Sequence, residues 1–140
     1  MAFTELDYVR EYKNDINAFL IRAMKKVNTY TTEDLERIKT SFVKTMKYCN
    51  TILGKKAFRT IRKDGYRGRI NKALFEMFSV CFSELNENQL ENIQSQKEKF
   101  VEAYAALFDD QGFRSALRSG KINDCIRRME RGRMLVGEFL

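Results

Sequence analysis

The side chains that could do chemistry in this chain are mainly arginines and lysines, and they concentrate in two segments. Between Gly54 and Lys72, eight basic residues accompany one acidic residue, and between Phe113 and Arg133, seven accompany two. The whole chain has a net charge of +7, so its other residues are acidic on balance. Clustered cations neutralise phosphates and release condensed counterions. The two segments therefore predict a surface that binds a polyanion.

Nine of these cations are the candidate nucleic-acid contacts. In the first segment glycines and a tyrosine separate the cations, so the backbone can approach a phosphate closely, while the arginine excess of the second suits bidentate phosphate binding. The candidates are Arg59, Arg62, Lys63, Arg67, Arg69, Lys72, Arg127, Arg128 and Arg131. Two alternatives stay open: the cations could pair with carboxylates of the same chain or form a solvated face, or they could dock an acidic partner protein.

The sequence Gly65-Tyr66-Arg67-Gly68 matches the Gly-x-x-Gly loop of the KH nucleic-acid module. That loop clamps a nucleic-acid backbone in its own fold. A KH fold also requires three strands, and this sequence shows no convincing strand pattern for them. The motif alone is therefore a weak indication of KH function.

Three polar residues invite a functional interpretation but favour a structural one. Asp109 and Asp110 are adjacent carboxylates that could hold a metal, yet at a predicted helix start such a pair is more often a cap. Asn71 precedes an apolar helix and is either a cap-like residue or a donor facing a ligand. We favour the structural role for all three.

The chain contains no histidine and three cysteines, Cys49, Cys81 and Cys125. Without histidine it lacks the commonest general base near neutral pH, the commonest zinc ligand and every Ser-His or Cys-His pair. The sequence therefore predicts no catalytic residues, no metal and no cofactor. The cysteines are widely spaced and lie on apolar faces of predicted helices, which indicates reduced core residues.

The elements that must position these residues are predicted to be helices. The chain has no proline, and few stretches alternate like strands. We predict one all-α domain spanning residues 1–140, a bundle of about six helices, with a small hairpin possible at Asp64-Gly65. The segment from Arg69 to Leu85 is apolar on nearly every side, which is typical of a buried helix. It is predicted to be the centre of the bundle.

The first two helices are predicted to form an antiparallel pair. Apolar residues from Val9 to Val27 recur every three or four positions after a start signal at Thr4, which predicts one continuous helix. The second helix is predicted to begin at Thr31 or Thr32 and to end at Gly54. Its predicted buried edge consists of Leu35, Ile38, Phe42, Met46, Cys49 and Leu53.

The C-terminal half is predicted to contain three further helices. Asn86 or Asn88 caps a long helix that continues to about Phe108 despite a polar stretch. The Asp109-Asp110 turn caps a short helix, and the last helix begins near Ile122.

No apolar run approaches the roughly 20 residues that a membrane span requires. The N-terminal residues also lack the basic-then-apolar order of a signal peptide. We therefore expect a cytoplasmic protein with no membrane partner.

Two stretches of sequence carry a family resemblance. They read GKKAFR at 54–59 and RINKALFE at 69–76, separated by a basic loop. Together with a helix pair ahead and a helix, a short helical segment and a basic helix behind, they resemble the helical C-terminal part of the GmrSD-like proteins. That bacterial defence family restricts foreign or modified DNA.

The resemblance implies a DNA-associated role without catalysis. The family's N-terminal ParB-like domain carries an Asp-Gly-Gln-Gln-Arg motif linked to nucleotide hydrolysis and nuclease activity, and this sequence has neither that motif nor a His-Asn-His nuclease box. A chain of this kind is expected to hold DNA, or to pack against and gate a nuclease domain or subunit of the same antiviral system.

Overall fold

The structure is a computed structural model that describes residues 11–62 and 64–140. It confirms the predicted all-α bundle and also contains the small hairpin. Within those ranges the α-helices are α1 (Ile16–Val27), α2 (Thr32–Leu53), α3 (Lys72–Ser83), α4 (Glu87–Ser95), α5 (Lys97–Ala106), α6 (Gln111–Ala116) and α7 (Ile122–Gly137). The hairpin strands are β1 (Arg59–Ile61) and β2 (Arg67–Ile70), and single 3-10 turns lie at Gly54–Lys56 and Leu107–Asp109.

Helix α3 is the centre of the core, as its sequence predicts. It packs mainly against α2 and α7. Seven of its residues are buried, namely Leu74, Met77, Phe78, Ser79, Val80, Cys81 and Phe82. Asn71 is its N-cap, in the cap-like role favoured for it, and Arg69, at the beginning of the apolar segment, belongs to β2.

Aromatic rings extend the core from α3 to α5. The Phe78 ring meets the Tyr104 ring edge to face, with centroids 4.9 Å apart, and Phe82 lies 6.0 Å from Phe100. Edge-on arrangements suit the quadrupoles of the rings. The Tyr104 side chain is thereby held deep in the bundle, with its hydroxyl directed at the hairpin.

The ends of α2 are as predicted, but its buried edge is only half correct. Thr31 and Asp34 form a reciprocal capping box, and Gly54, with a φ of +53°, ends the helix. Cys49 and Leu53 are buried, whereas Leu35 and Phe42 on the same stripe are 43% and 42% exposed. The N-terminal half of α2 extends beyond the core.

The predicted α1–α2 pair is also wrong, because α1 does not lie along α2. Helix α2 packs on α3, α4 and α5 instead. Of the apolar stripe predicted to face inward on α1, Phe19 and Ala23 are buried, while Leu20 and Met24 are exposed.

The first helix is not continuous through residues 12–15. Asn14 adopts a φ of +59°, which asparagine tolerates better than most residues, and Asp15 caps α1 by accepting from the Ala18 N–H at 3.0 Å. The break lets the Asn14 side chain accept from the Ile122 N–H at 2.8 Å. The predicted start at Thr4 lies outside the described residues.

The long helix predicted after Asn86 is two helices. Asn86 forms a capping box with Gln89, as predicted for a start, but Gln96, with φ of −112° and ψ of 22°, separates α4 from α5. The start of α7 at Ile122 is as predicted. No helix in the two described ranges is both long enough and apolar enough to cross a membrane.

Candidate nucleic-acid interface

The hairpin carries most of the first basic segment and is fixed to the core at its base. The buried Tyr104 hydroxyl donates to the Arg59 carbonyl at 2.5 Å, and the Asn71 N–H donates to the Phe58 carbonyl at 2.8 Å. Burial raises the pKa of Tyr104, so this hydroxyl stays protonated and remains a donor. Ile61 adds a buried apolar side chain to the inner face.

The chain enters the hairpin through an unusual backbone conformation. Phe58 has a φ of +59°, which is rare for a bulky residue, and its ring packs edge to face on Phe75 with centroids 5.1 Å apart. The ring contact holds the turn between the 3-10 segment and β1.

The hairpin tip is a tight turn stabilised by local hydrogen bonds. The Gly65 N–H donates to the Arg62 carbonyl at 2.9 Å, and Gly65 has a φ of +79°. The Asp64 carboxylate accepts from the Tyr66 N–H at 2.9 Å. Arg62 lies 3.3 Å from the same carboxylate and 5.8 Å from the Tyr66 ring, so its charge is partly used within the tip.

The register of the two strands depends on a glycine. Arg59 pairs with Ile70 and Ile61 with Arg67, so β2 contains one extra residue, a bulge. A Cβ on Gly68 would lie 2.2 Å from the Thr60 hydroxyl oxygen. The strands can approach this closely only because residue 68 has no side chain.

These strands do not support the KH interpretation. The Gly65 and Gly68 motif spans a hairpin turn and the beginning of β2. A KH module needs three strands, and the described part of the chain has two. The glycines serve turn and strand geometry here.

Three cations of the hairpin region stay available to a ligand. Arg67, Arg69 and Lys72 are exposed, and no carboxylate of residues 11–62 or 64–140 forms an ion pair with them. Arg59 is half-buried and donates to the Gly68 carbonyl at 2.9 Å. Lys63, also a predicted contact, lies outside the described residues.

A groove of about 530 Å³ follows one side of the hairpin base, and we call it the basic groove. Its cations are Lys55, Arg59 and Arg67, and Ile70 supplies an apolar wall. No acidic residue lines it among the residues described. Lys55 belongs to the first basic segment but was not selected from the sequence, because local charge does not reveal which cations share a wall.

A second cleft, of about 520 Å³, lies on the other side of the hairpin and has mixed charge. Arg62, Arg114 and Arg118 line it together with Asp64 and Asp109. The two basic segments therefore meet here. Sequence reasoning missed Arg114 and Arg118 as site residues, since their proximity to the hairpin arises only from tertiary packing.

The cations of α7 are used differently, because most of them pair within the fold. Arg127 lies 3.7 Å from Asp124, and Arg131 lies 2.5 Å from Asp110. Arg133 bonds Glu84 with two guanidinium nitrogens, at 2.6 and 3.0 Å. Two of the predicted contacts, Arg127 and Arg131, are thus already paired with carboxylates.

Arg128 is 3% exposed, so a phosphate cannot reach it without unfolding. Its guanidinium donates to the Ala116 and Ser119 carbonyls at 2.7 and 2.8 Å and to Glu76 at 3.4 Å. Burial raises the pKa of Glu76, and the Arg128 charge opposes that rise. Arg128 is a structural residue and is left out of the interface.

Asp110 and Asn71, which had two interpretations from the sequence, have the structural roles that we favoured. Asp110 caps α6, accepting from the Gly112 N–H at 2.7 Å, and Asn71 caps α3, accepting from the Ala73 N–H at 2.8 Å. Asn71 also lines the mixed cleft. Among the described residues, no three His, Cys, Asp or Glu side chains lie close enough together to hold a metal ion.

The three cysteines are buried and unbonded, as predicted for core residues. Burial raises the pKa of Cys49 and of Cys81 to about 12. Near neutral pH these thiols are protonated and therefore poor nucleophiles.

Comparisons with known proteins add no identity to this geometry. No protein-family model matches the chain, and neither a curated protein nor a solved structure matches it.

Proposed function

We propose that this chain is a non-catalytic domain that binds nucleic acid, with DNA as its ligand, through the β1–β2 hairpin. The observation that carries the proposal is that Arg67, Arg69 and Lys72 are exposed and form no ion pair with a carboxylate of the described residues, whereas the cations of α7 are paired. The proposed contacts are Lys55, Arg59, Arg62, Arg67, Arg69 and Lys72, with Arg118 at the edge of the mixed cleft.

The physical basis is counterion release. Each phosphate neutralised on duplex DNA contributes about −0.9 to the slope of log K against log salt, so seven contacts give about −6. The basic groove has no carboxylate among its described lining residues to compete with the phosphates. The anchored hairpin base keeps the cations in place before binding, which lowers the entropy cost of association.

The choice of DNA over other polyanions rests on the sequence resemblance to the GmrSD-like restriction proteins. In that setting the domain would hold the DNA that a separate nuclease domain cuts. This role requires no catalytic group in the chain itself.

A second candidate is docking on an acidic partner protein, such as the nuclease half of the same system. Ile70, on β2 and at the wall of the basic groove, favours it because the side chain is 62% exposed. An aliphatic side chain cannot stack on a base, whereas it can fill an apolar pocket at a protein interface.

The test is fluorescence anisotropy of labelled duplex and single-stranded DNA with the full chain at several salt concentrations. Two double variants remove equal charge: Arg67→Gln with Arg69→Gln in the hairpin, and Arg131→Gln with Arg133→Gln in α7. We expect the hairpin variant to weaken binding and to reduce the salt slope by about 2. The α7 variant should retain both the affinity and the slope.

Absence of binding at low salt would overturn the DNA proposal and favour the acidic partner. Equal weakening by the two double variants would show that net charge, and not the hairpin, attracts the DNA.

A further inference from the structure

The N-terminal half of α2 presents apolar side chains that no element of the described chain covers. The helix has 22 residues, so it is about 33 Å long. Tyr48, Cys49 and Ile52 bury its C-terminal half in the core. Leu35 and Phe42 continue the same stripe but remain 43% and 42% exposed.

Helix α1, which precedes α2 in the chain, carries further exposed apolar residues. Leu20, Ile21 and Met24 are 42%, 52% and 66% exposed, and α1 does not pack along α2. Val43 is a further exposed residue on α2, at 59%. We call these six residues, Leu20, Ile21, Met24, Leu35, Phe42 and Val43, the apolar overhang.

We propose that the apolar overhang binds a second copy of this chain, with the two α2 helices antiparallel about a twofold axis near Thr40. The charges of α2 support this occupant and this direction. Glu33, Asp34 and Glu36 lie at its beginning, and the cations that follow are Arg37, Lys39, Lys44 and Lys47. An antiparallel pair places the acidic end of each helix beside the basic part of the other, whereas a parallel pair places like charges together.

The area of the overhang also suits a dimer. Together the six side chains, each about half exposed, present on the order of 500 Å² of apolar surface. A standard interface buries about 800 Å² per partner, of which roughly 56–65% is apolar. The overhang therefore supplies about the apolar share that one such interface needs.

The salt links already present on α2 do not oppose this packing. Arg37 with Asp34 and Lys39 with Glu36 are exposed pairs, at 3.1 and 3.3 Å. Such pairs contribute little and exchange readily for contacts with a second chain.

The test is sedimentation equilibrium of the full chain over a range of concentrations. We expect a dimer, and we expect Leu35→Glu and Phe42→Glu each to weaken dimerisation by about 30-fold or more. Met134→Glu is the control, because Met134 is also an exposed apolar helix residue, at 59%, but lies on α7 outside the overhang. Circular dichroism verifies folding, and both overhang residues lie at the surface, so the variants should fold.

Cross-linking tests the direction of packing. Lys39→Cys lies near the proposed axis and should form a disulfide between copies, whereas Thr32→Cys lies about 24 Å from its symmetry mate in an antiparallel pair and should not. Disulfides at both positions would overturn the antiparallel arrangement. A monomer at every concentration would overturn the second copy as occupant.

Discussion

The hairpin and α7 are both rich in arginine and differ in what surrounds the charges. Arg67 and Arg69 lie at the surface with no carboxylate partner in the described ranges, whereas Arg131 and Arg133 each bond a carboxylate from outside α7. An arginine side chain is thus available to a ligand in the hairpin and joins two parts of the fold through an ion pair in α7. Charge density in a sequence measures neither role, because the role depends on the partners that tertiary packing brings.

The largest expected effect on stability comes from replacing Arg128, the most deeply buried of the paired arginines. Arg128→Met leaves Glu76 and the Ala116 and Ser119 carbonyls without their donor, so the free energy of unfolding should fall by about 3 kcal/mol. Urea denaturation measures the change. Arg127→Met, which loses only an exposed contact to Asp124, should stay within about 0.5 kcal/mol of wild type.

If both variants lost equal stability, the buried hydrogen bonds of Arg128 would contribute no more to stability than the exposed ion pair of Arg127. DNA affinity per folded molecule should stay unchanged for Arg128→Met, since its side chain is out of reach of a ligand.

The next effect tests the close approach of α7 to α3. A Cβ on Gly132 would lie 2.6 Å from Met77 Cγ and 2.8 Å from Cys81 Sγ. Gly132→Ala should therefore destabilise the fold by about 1–2 kcal/mol, because overpacking exceeds the gain in helix propensity. Thermal unfolding measures it.

The matched control for that substitution lies on the same helix. Gly137 has nothing within 4 Å of an added Cβ, so Gly137→Ala should be neutral or slightly stabilising. Destabilisation by both changes would place the cause in helix α7 itself and not in its contact with α3.

A smaller loss of stability is expected from a change in the hairpin, but this change should also weaken ligand binding. Gly68→Ala forces a methyl group against the Thr60 hydroxyl, which should cost about 1 kcal/mol and shift β2 with Arg67 and Arg69. Anisotropy titration should show weaker DNA binding. Adding Thr60→Ala removes the clashing oxygen and should restore it, and a double variant that stays impaired would mean that the backbone at 68 matters for another reason.

The smallest effect concerns the pH dependence of stability that comes from Asp110, which pairs with Arg131. The Phe113 N–H, then the Gly112 N–H and Arg131, hold the pKa of Asp110 below its usual value. A carboxyl with a depressed folded-state pKa stabilises the fold above its unfolded pKa, and this contribution is lost as pH falls below about 4. Asp110→Asn keeps the cap but not the charge, so unfolding measured from pH 2 to 5 should depend less on pH. An unchanged profile would show that other carboxyls govern acid unfolding.

Local sequence predicted what local contacts determine. The apolar circumference of α3, the start of α2 after Thr31 and the stop at Gly54 all depend on residues within a few positions of each other. The antiparallel pairing of α1 with α2 failed, because it depends on which elements cover α2. The breaks at Asn14 and Gln96 interrupt apolar patterns that continue across them.

The candidate site was less predictable for the same reason. The partners Arg128 and Glu76 are 52 positions apart, and Arg133 and Glu84 are 49 apart. Nothing in the basic segments themselves distinguishes such residues from Arg67 or Arg69. Only the tertiary fold shows which cations pair with carboxylates and which are exposed to a ligand.

The length of α2 has a consequence for reach. Its C-terminal end leads through the 3-10 turn at Gly54–Lys56 into the hairpin, and Leu53 is 13 residues from Thr40, or about 20 Å along the helix. In a dimer with its axis at Thr40, the two hairpin roots would be on the order of 40 Å apart, close to the 34–36 Å of one turn of duplex DNA. Two weak phosphate-binding hairpins at that spacing would contact one duplex at the same time. The length of α2 would therefore set their separation and, through it, the gain in affinity from bivalent binding.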